Sequence, residues 1–200
     1  YRYTVRDETT GQVVAAQTTN PLVTGLTHEH AYSWSLTVED GYTSVNSSTA
    51  QFAVDLAVPE ITLDNLSDTY AQSQAITVTA QDFTSGLASL EYRWNAEAYQ
   101  ALPSGQVLSA PHGKNTLSVR ATDIAGNVQE VQHTYFVDET PPEVGAPAVT
   151  GARHTDGRLF VTSNSEVFAT WRMSDPETGI ASYRYGVVKQ TEPGNLSGLL

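Results

Sequence analysis

Hydrophobic and polar residues alternate along several short stretches of the chain. Tyr32, Trp34, Leu36 and Val38 are each separated by a single polar residue. The same period of two recurs in four further runs: Ile76/Val78/Ala80, Leu90/Tyr92/Trp94, Leu117/Val119/Ala121 and Ala169/Trp171/Met173. A period of two is typical of half-buried strands. Because no window of about a dozen residues has helical spacing together with helix caps, we predict an all-β chain with almost no α-helix.

The chain also contains internal repeats. Three pairs of residues are separated by 83 positions: Asp40 and Asp123, Asp55 and Asp138, and Pro59 and Pro142. A second offset, of 93 positions, relates Asp82 to Asp175 and residues 85–89 to residues 178–182. The change of offset indicates loops of different length in successive copies. Short strands at regular spacing, repeated in this way, predict tandem β-sandwiches.

Proline-bearing segments mark the expected boundaries between the copies. Pro59, and Pro141 with Pro142, each follow an expected terminal strand, and prolines there stiffen a connection. We therefore predict three units: the later part of a sandwich over residues 1–55, a complete sandwich over 56–140, and the early part of another over 141–200. Residues 1–5 resemble residues 183–187, so both outer units are expected to be incomplete and to have open edges. The absence of a leader sequence suggests an internal segment of a longer chain.

Particular residues resemble known module families. Gly25-Leu26, followed by Tyr32, Trp34 and Leu36, resembles the later half of a fibronectin type III domain, in which Tyr32 would form a tyrosine corner. Trp171, Asp175, Gly179 and Tyr183 resemble an earlier part of the same family. Residues 119–127 and 135–142 resemble bacterial immunoglobulin-like and hyalin repeats, without the hyalin cysteines. The resemblance implies tandem modules of a large extracellular or cell-surface protein, such as an adhesin stalk or a spacer in a polysaccharide-degrading enzyme.

Composition narrows the classes of partner. The chain of 200 residues carries 10 basic and 22 acidic residues, a formal net charge of −12. This charge argues against nonspecific binding to nucleic acid or to anionic lipid, and makes cations the expected companions. There is no cysteine, which excludes disulfides and thiolate chemistry. No apolar run approaches the ~20 residues that a membrane-spanning helix needs, so no membrane insertion is expected.

Acidic residues at repeat-equivalent positions are the candidate metal ligands. They are Asp40, Asp55, Asp82, Asp123, Asp138, Glu139 and Asp175. Calcium takes six to eight oxygen ligands, and carboxylates from loops at one end of a domain could converge on a linker. The alternative is that these residues cap turns by accepting hydrogen bonds from their own backbone. The sequence favours capping and leaves a calcium role open.

Other candidates for chemistry are weaker. Trp94, with neighbouring aromatics, could stack on a sugar ring, although alternate aromatics on such a strand usually fill the core. His28-Glu29-His30 lacks a third ligand nearby and is interpreted as a solvated loop. The sequence contains no nucleophile elbow of the G-x-S-x-G type and no glycine-rich phosphate loop.

These observations predict a non-catalytic stalk or spacer of a secreted or cell-surface protein, with neighbouring repeats of the same chain as its contacts. The alternative is a carbohydrate- or protein-binding module attached to an extracellular enzyme. The same sandwich fold serves many roles, so the function has to be argued from a site.

Overall fold

The computed structural model describes residues 1–17, 20–150, 153–155, 158–160 and 168–186. Every regular element in these ranges is a β-strand, and none of them contains a helix. All pairs between the named strands are antiparallel. The prediction of an all-β chain is confirmed.

The first unit contains one five-stranded sheet. Its strands are β1 (Arg2–Asp7), β2 (Val13–Gln17), β3 (Ala31–Glu39), β4 (Ser44–Asn46) and β5 (Ala50–Ala53). β1 lies between β2 and β3, while β4 and β5 both pair with β3. Tyr3, Val5 and Tyr32 form the buried core of this sheet. Along β1, Tyr3 and Val5 alternate with more exposed residues, as a sheet with one covered face requires.

The middle unit contains two sheets. One has the order β10 (Gln106–Ser109), β7 (Ala75–Gln81), β6 (Glu60–Leu63). The other has the order β12 (Val128–Val137), β11 (Gly113–Asp123), β8 (Leu87–Trp94), β9 (Gln100–Ala101). Each predicted alternating run of this unit lies within a strand. The runs around Ile76, Leu90 and Leu117 fall on β7, β8 and β11 respectively.

A single core joins the two sheets of the middle unit. Ile76 and Val78 from one sheet and Leu117 and Val119 from the other are fully buried in the same cluster. Two sheets that bury their facing sides against each other form a β-sandwich. The predicted sandwich architecture is therefore confirmed for this unit.

The third unit is less regular than predicted. Its strands are β13 (Glu143–Val144), β14 (Ala148–Val149), β15 (Arg153–Thr155), β16 (Arg158–Phe160), β17 (Ala169–Thr170) and β18 (Met173–Ser174), which pair as β13–β18, β14–β17 and β15–β16. The prediction of one continuous strand over residues 169–173 is wrong, because Trp171 and Arg172 lie in no strand. Opposite them is Pro147, which has no N–H for a ladder. The backbone N–H of Gly145 donates to the carbonyl of Arg172 at 2.8 Å, and this bond keeps the two segments paired here.

Two further expectations for the third unit differ in outcome. Tyr183 and Tyr185, expected on a strand, lie in no strand, and they pack against Trp171 with ring centroids 5.8 and 5.7 Å away. Val187 lies outside the described residues.

All the strand pairs join residues within 2–53, 60–137 or 143–174, so both proline-bearing joints lie outside them. The boundaries near residues 56 and 140 stay predictions.

Candidate metal sites at the joints

Three carboxylates meet between the first and middle units. Asp55, Asp82 and Asp123 each offer an oxygen, and these oxygens lie within 4.8 Å of one another. Asp55 follows the last strand of the first unit, Asp82 follows β7, and Asp123 ends β11. We call these residues the first joint group. The ends of three strands, from two successive units, therefore bring together residues that are distant in sequence.

Asp82 and Asp123 are held by their own turns. Oδ1 of Asp82 accepts the N–H groups of Thr84, Ser85 and Gly86 at 3.2, 2.9 and 2.8 Å. Oδ1 of Asp123 accepts the N–H groups of Gly126 and Asn127 at 2.6 and 2.8 Å. Both carboxylates thus cap turns, as the alternative interpretation predicts. Capping uses Oδ1, and among the described residues no hydrogen bond to Oδ2 of Asp82 occurs.

Asp55 contacts the middle unit directly. Its Oδ2 accepts the N–H of Ser85 at 3.1 Å, and its Oδ1 accepts the N–H of Ala57 at 2.9 Å. The hydrogen bonds from Ser85 are the main cause that lowers the pKa of Asp55, against the opposing effect of burial. Nδ1 of His28 lies 3.6 Å from Oδ1 of Asp55. Asp55 is therefore ionised at neutral pH and faces the other two carboxylates.

A second group lies between the middle and third units. Asp138, Asp175 and Glu177 bring carboxylate oxygens within 4.8 Å of one another, and we call them the second joint group. Oδ1 of Asp175 accepts the N–H groups of Thr178 and Gly179 at 2.8 and 3.0 Å. These bonds, the one from Thr178 first, lower the pKa of Asp175 against a smaller opposing effect of burial. The hydroxyl of Thr178 donates to Asp138 at 2.7 Å.

Sequence reasoning missed Glu177. It has no counterpart at the equivalent position of the middle unit, where the third carboxylate comes from a different loop, at Asp123. The available signal was its position two residues after Asp175, within the same turn. Because Glu177 has no acidic counterpart in the repeat, the repeat pattern gives no signal for it.

The donor chemistry of both groups suits a hard divalent cation. Carboxylate oxygens are the preferred ligands of calcium, and each group supplies three carboxylates on short loops. In the part of the chain that the structure describes, no lysine or arginine forms an ion pair with either group. Two imidazole nitrogens lie nearby: Nδ1 of His28 is 3.6 Å from Oδ1 of Asp55 and accepts the N–H of Leu56, and Nε2 of His112 is 3.7 Å from Glu177. Like charges held this closely repel one another unless a cation neutralises them.

Two predicted ligands lie elsewhere. Asp40 caps the turn between β3 and β4, accepting the N–H groups of Tyr42 and Thr43 at 2.9 and 2.7 Å. Glu139 is exposed and belongs to neither group. The structure therefore brings together Asp55, Asp82 and Asp123, and separately Asp138 and Asp175, out of the candidates named from the sequence.

The candidate sugar-binding residue lies in the core. Trp94 is 9 % exposed, and its ring packs edge-on against that of Tyr135, with centroids 6.1 Å apart. This corrects the ligand-binding assignment, because stacking on a sugar needs an exposed ring face. The alternative of a core aromatic describes Trp94. His30 likewise has a structural partner, with Nδ1 lying 2.7 Å from Oδ2 of Asp7.

An open groove lies against the third unit. It has a volume of about 930 Å³, and its walls include Pro142, Trp171, Met173, Tyr183 and Tyr185. These residues are on the apolar side of a unit that was expected to lack covering strands.

No helix in the described parts of the chain has the length and apolar character to cross a membrane.

Comparisons with known proteins leave the family of the chain open. No protein-family model and no curated protein matches it. A solved structure of fibronectin(III)-like modules of CbhA from Clostridium thermocellum is similar, with 16 % sequence identity and a TM-score of 0.41. The match covers 68 % of this chain and 77 % of that chain. The fold assignment depends on the strand pairing described above and not on this similarity.

Proposed function

We propose that the chain is a non-catalytic spacer of tandem β-sandwiches in a secreted or cell-surface protein, and that divalent cations, calcium first, bind at its joints. A spacer has to control the angle between successive units. A cation held by ligands from both sides of a joint stabilises the geometry of that joint. The proposal therefore links the two carboxylate groups to a mechanical role.

The observation that carries the proposal is the composition of the first joint group. Asp55 comes from the first unit, whereas Asp82 and Asp123 come from two loops of the middle unit. A structural role within one unit would not require a carboxylate from its neighbour. The second joint group repeats this plan, with Asp138 from the middle unit and Asp175 and Glu177 from the third.

The local structure supports cation binding. Turn hydrogen bonds fix Asp82 and Asp123, so their carboxylates are held in place before a ligand arrives. Preorganised ligands lose little conformational entropy on binding. Backbone carbonyls and water would complete the six to eight oxygen ligands that calcium takes. The overall charge of −12 also favours the approach of cations.

Thermal unfolding of the full chain in excess calcium and in chelator tests the proposal. A ligand at a hundred times its dissociation constant adds about 2.7 kcal/mol to the free energy of unfolding. We expect the unfolding midpoint to rise by several degrees in calcium. Asp123→Asn should reduce this rise, because asparagine keeps an oxygen for the turn N–H groups but removes the charge and the Oδ2 acceptor of the Asn127 amide. Coincident unfolding curves in calcium and chelator would overturn the proposal.

Asp40→Asn is the matched control. Asp40 occupies the repeat-equivalent position of Asp123 and also caps its turn with Oδ1, but it belongs to neither joint group. The same chemical change at the same kind of turn should therefore leave the calcium-dependent rise unaltered. A loss of the rise in Asp40→Asn as large as in Asp123→Asn would show that general charge, and not the joint, causes the effect.

A further inference from the structure

The side-chain amide of Asn127 connects the first and middle units. Its Nδ2 donates to the backbone carbonyl of Asp55 at 3.1 Å and to Oδ2 of Asp123 at 2.8 Å. The backbone N–H of Asn127 also donates to Oδ1 of Asp123 at 2.8 Å. Asn127 is thus fixed by its own loop, and its side-chain amide also donates to Asp55, the last residue of the preceding unit.

The turn over residues 82–86 makes a second contact across the same joint. The N–H of Ser85 donates to Oδ2 of Asp55 at 3.1 Å. The hydroxyl of Thr84 lies 3.5 Å from a carboxylate oxygen of Glu29, at the outer limit of a hydrogen bond. Asp55 is therefore held at both its backbone carbonyl and its side chain, by two separate loops.

The other joint repeats part of this contact. Thr178 corresponds to Ser85 at the offset of 93 positions, and its hydroxyl donates to Asp138, the counterpart of Asp55. The donor changes from a backbone N–H to a hydroxyl, while the acceptor stays the carboxylate that ends the previous unit. Contact with a terminal aspartate is therefore a property of this loop in both units.

We propose that residues 82–86 together with Asn127 form a docking surface for Asp55, and that this surface fixes the relative orientation of the first and middle units without a cation. The inference depends on the proposed spacer function and assigns the control of the joint angle to hydrogen bonds. A cation then adds stability to a joint that is already ordered. Asn127 is a positioning residue in this scheme.

The distance between spin labels on the two units tests the inference. The natural chain has no cysteine, so Gln51→Cys on β5 and Gln106→Cys on β10 give a uniquely labelled full chain. Pulsed electron paramagnetic resonance then measures the distribution of label distances. In excess chelator we expect one narrow distribution, which calcium leaves in place. In Asn127→Ala we expect a broader distribution in chelator.

Two variants complete the design. Gln132→Ala removes a side-chain amide from β12 whose only described hydrogen bond is to Glu130, and it should keep the narrow distribution. Asn127→Asp retains an acceptor and the side-chain volume, lacks the amide donor and adds a negative charge beside Asp123. It should broaden the distribution as Asn127→Ala does, and it replaces that variant if alanine prevents folding.

The outcomes separate this inference from the proposed function. A distribution that is broad in chelator and narrow in calcium overturns the inference and leaves the cation-dependent spacer in place. A distribution that is broad under both conditions contradicts both. If the chain is narrow in chelator but Asn127→Ala and Asn127→Asp are equally narrow, the role of Asn127 is overturned.

Discussion

The hydroxyl oxygen of Tyr32 accepts a hydrogen bond from the backbone N–H of Thr27 at 2.8 Å. Tyr32 is 1 % exposed, so this bond satisfies a polar atom that the fold removes from water. It also ties the loop before β3 to the strand itself. This contact has the form of the tyrosine corner that the resemblance of Gly25-Leu26 and Tyr32 to a fibronectin type III domain implies.

Tyr32→Phe should destabilise this corner. The loss of one buried hydrogen bond, with the ring retained, lowers the free energy of unfolding by about 1 kcal/mol. The amide of Thr27 loses its acceptor and should exchange with solvent hydrogen faster. Amide hydrogen exchange followed by nuclear magnetic resonance measures both effects. Unchanged exchange at Thr27 would contradict the assignment.

Tyr135 should respond in the opposite direction. It is fully buried, and its hydroxyl has no hydrogen-bond partner among the described residues. An unsatisfied buried polar group costs about 1–3 kcal/mol, so Tyr135→Phe should leave the middle unit equally stable or stabilise it. Urea denaturation of the full chain measures the change. A loss of stability as large as that in Tyr32→Phe would reveal a partner for this hydroxyl.

The same tyrosine predicts a loss of stability at high pH. Burial is the main cause that raises the pKa of Tyr135 from 10.0 to about 12. The unfolded chain therefore releases this proton at lower pH than the folded chain. Ionisation of Tyr135 therefore leaves the free energy of unfolding unchanged below pH 10.0 and lowers it as the pH rises towards about 12. Tyr135→Phe should reduce this alkaline loss, which unfolding measurements between these values can detect.

The contrast between these tyrosines shows what the sequence can predict. Strands β3, β7, β8 and β11 follow from alternation, because a sheet face buries every second side chain. The tyrosine corner was expected from the family resemblance, and its partner is local in sequence, five residues away. The unpaired hydroxyl of Tyr135 could not be predicted, since it depends on the shape of the core. Asn127 and Glu177 were missed because their contacts join loops that only the tertiary structure brings together.

Asp7 predicts a loss of stability in acid. Burial raises the pKa of this carboxyl, but hydrogen bonds from His30, Thr10 and Thr9 together lower it below the usual 3.8. Asp7 thus stabilises the folded chain above pH 3.8, and this contribution is lost as the pH falls through its lower folded value. Asp7→Asn should make the free energy of unfolding less dependent on pH in this range. An unchanged pH dependence, measured by denaturation from pH 6 to pH 2, would contradict this role.

Trp94→Ala should strongly destabilise the middle unit. Truncation of a buried tryptophan costs about 3–5 kcal/mol, because the surrounding side chains close the cavity only in part. The effect should appear as a lower unfolding midpoint, with or without oligosaccharides present. Trp94→Phe keeps an aromatic ring in the core and should retain most of the stability. If Trp94→Ala folded with unchanged stability, the core position of Trp94 would be contradicted, and a sugar-binding role would again be open.

The two joints should bind cations independently, because their carboxylate groups share no residue. Isothermal titration of the full chain with calcium should therefore give two sites, and Glu177→Gln should weaken only one of them. Glutamine keeps the length of the side chain and removes its charge, so the turn that Asp175 caps is retained. Asp82→Asn should weaken the other site. If either substitution weakened both sites, binding at one joint would depend on the other, and the chain would respond to calcium as one cooperative unit.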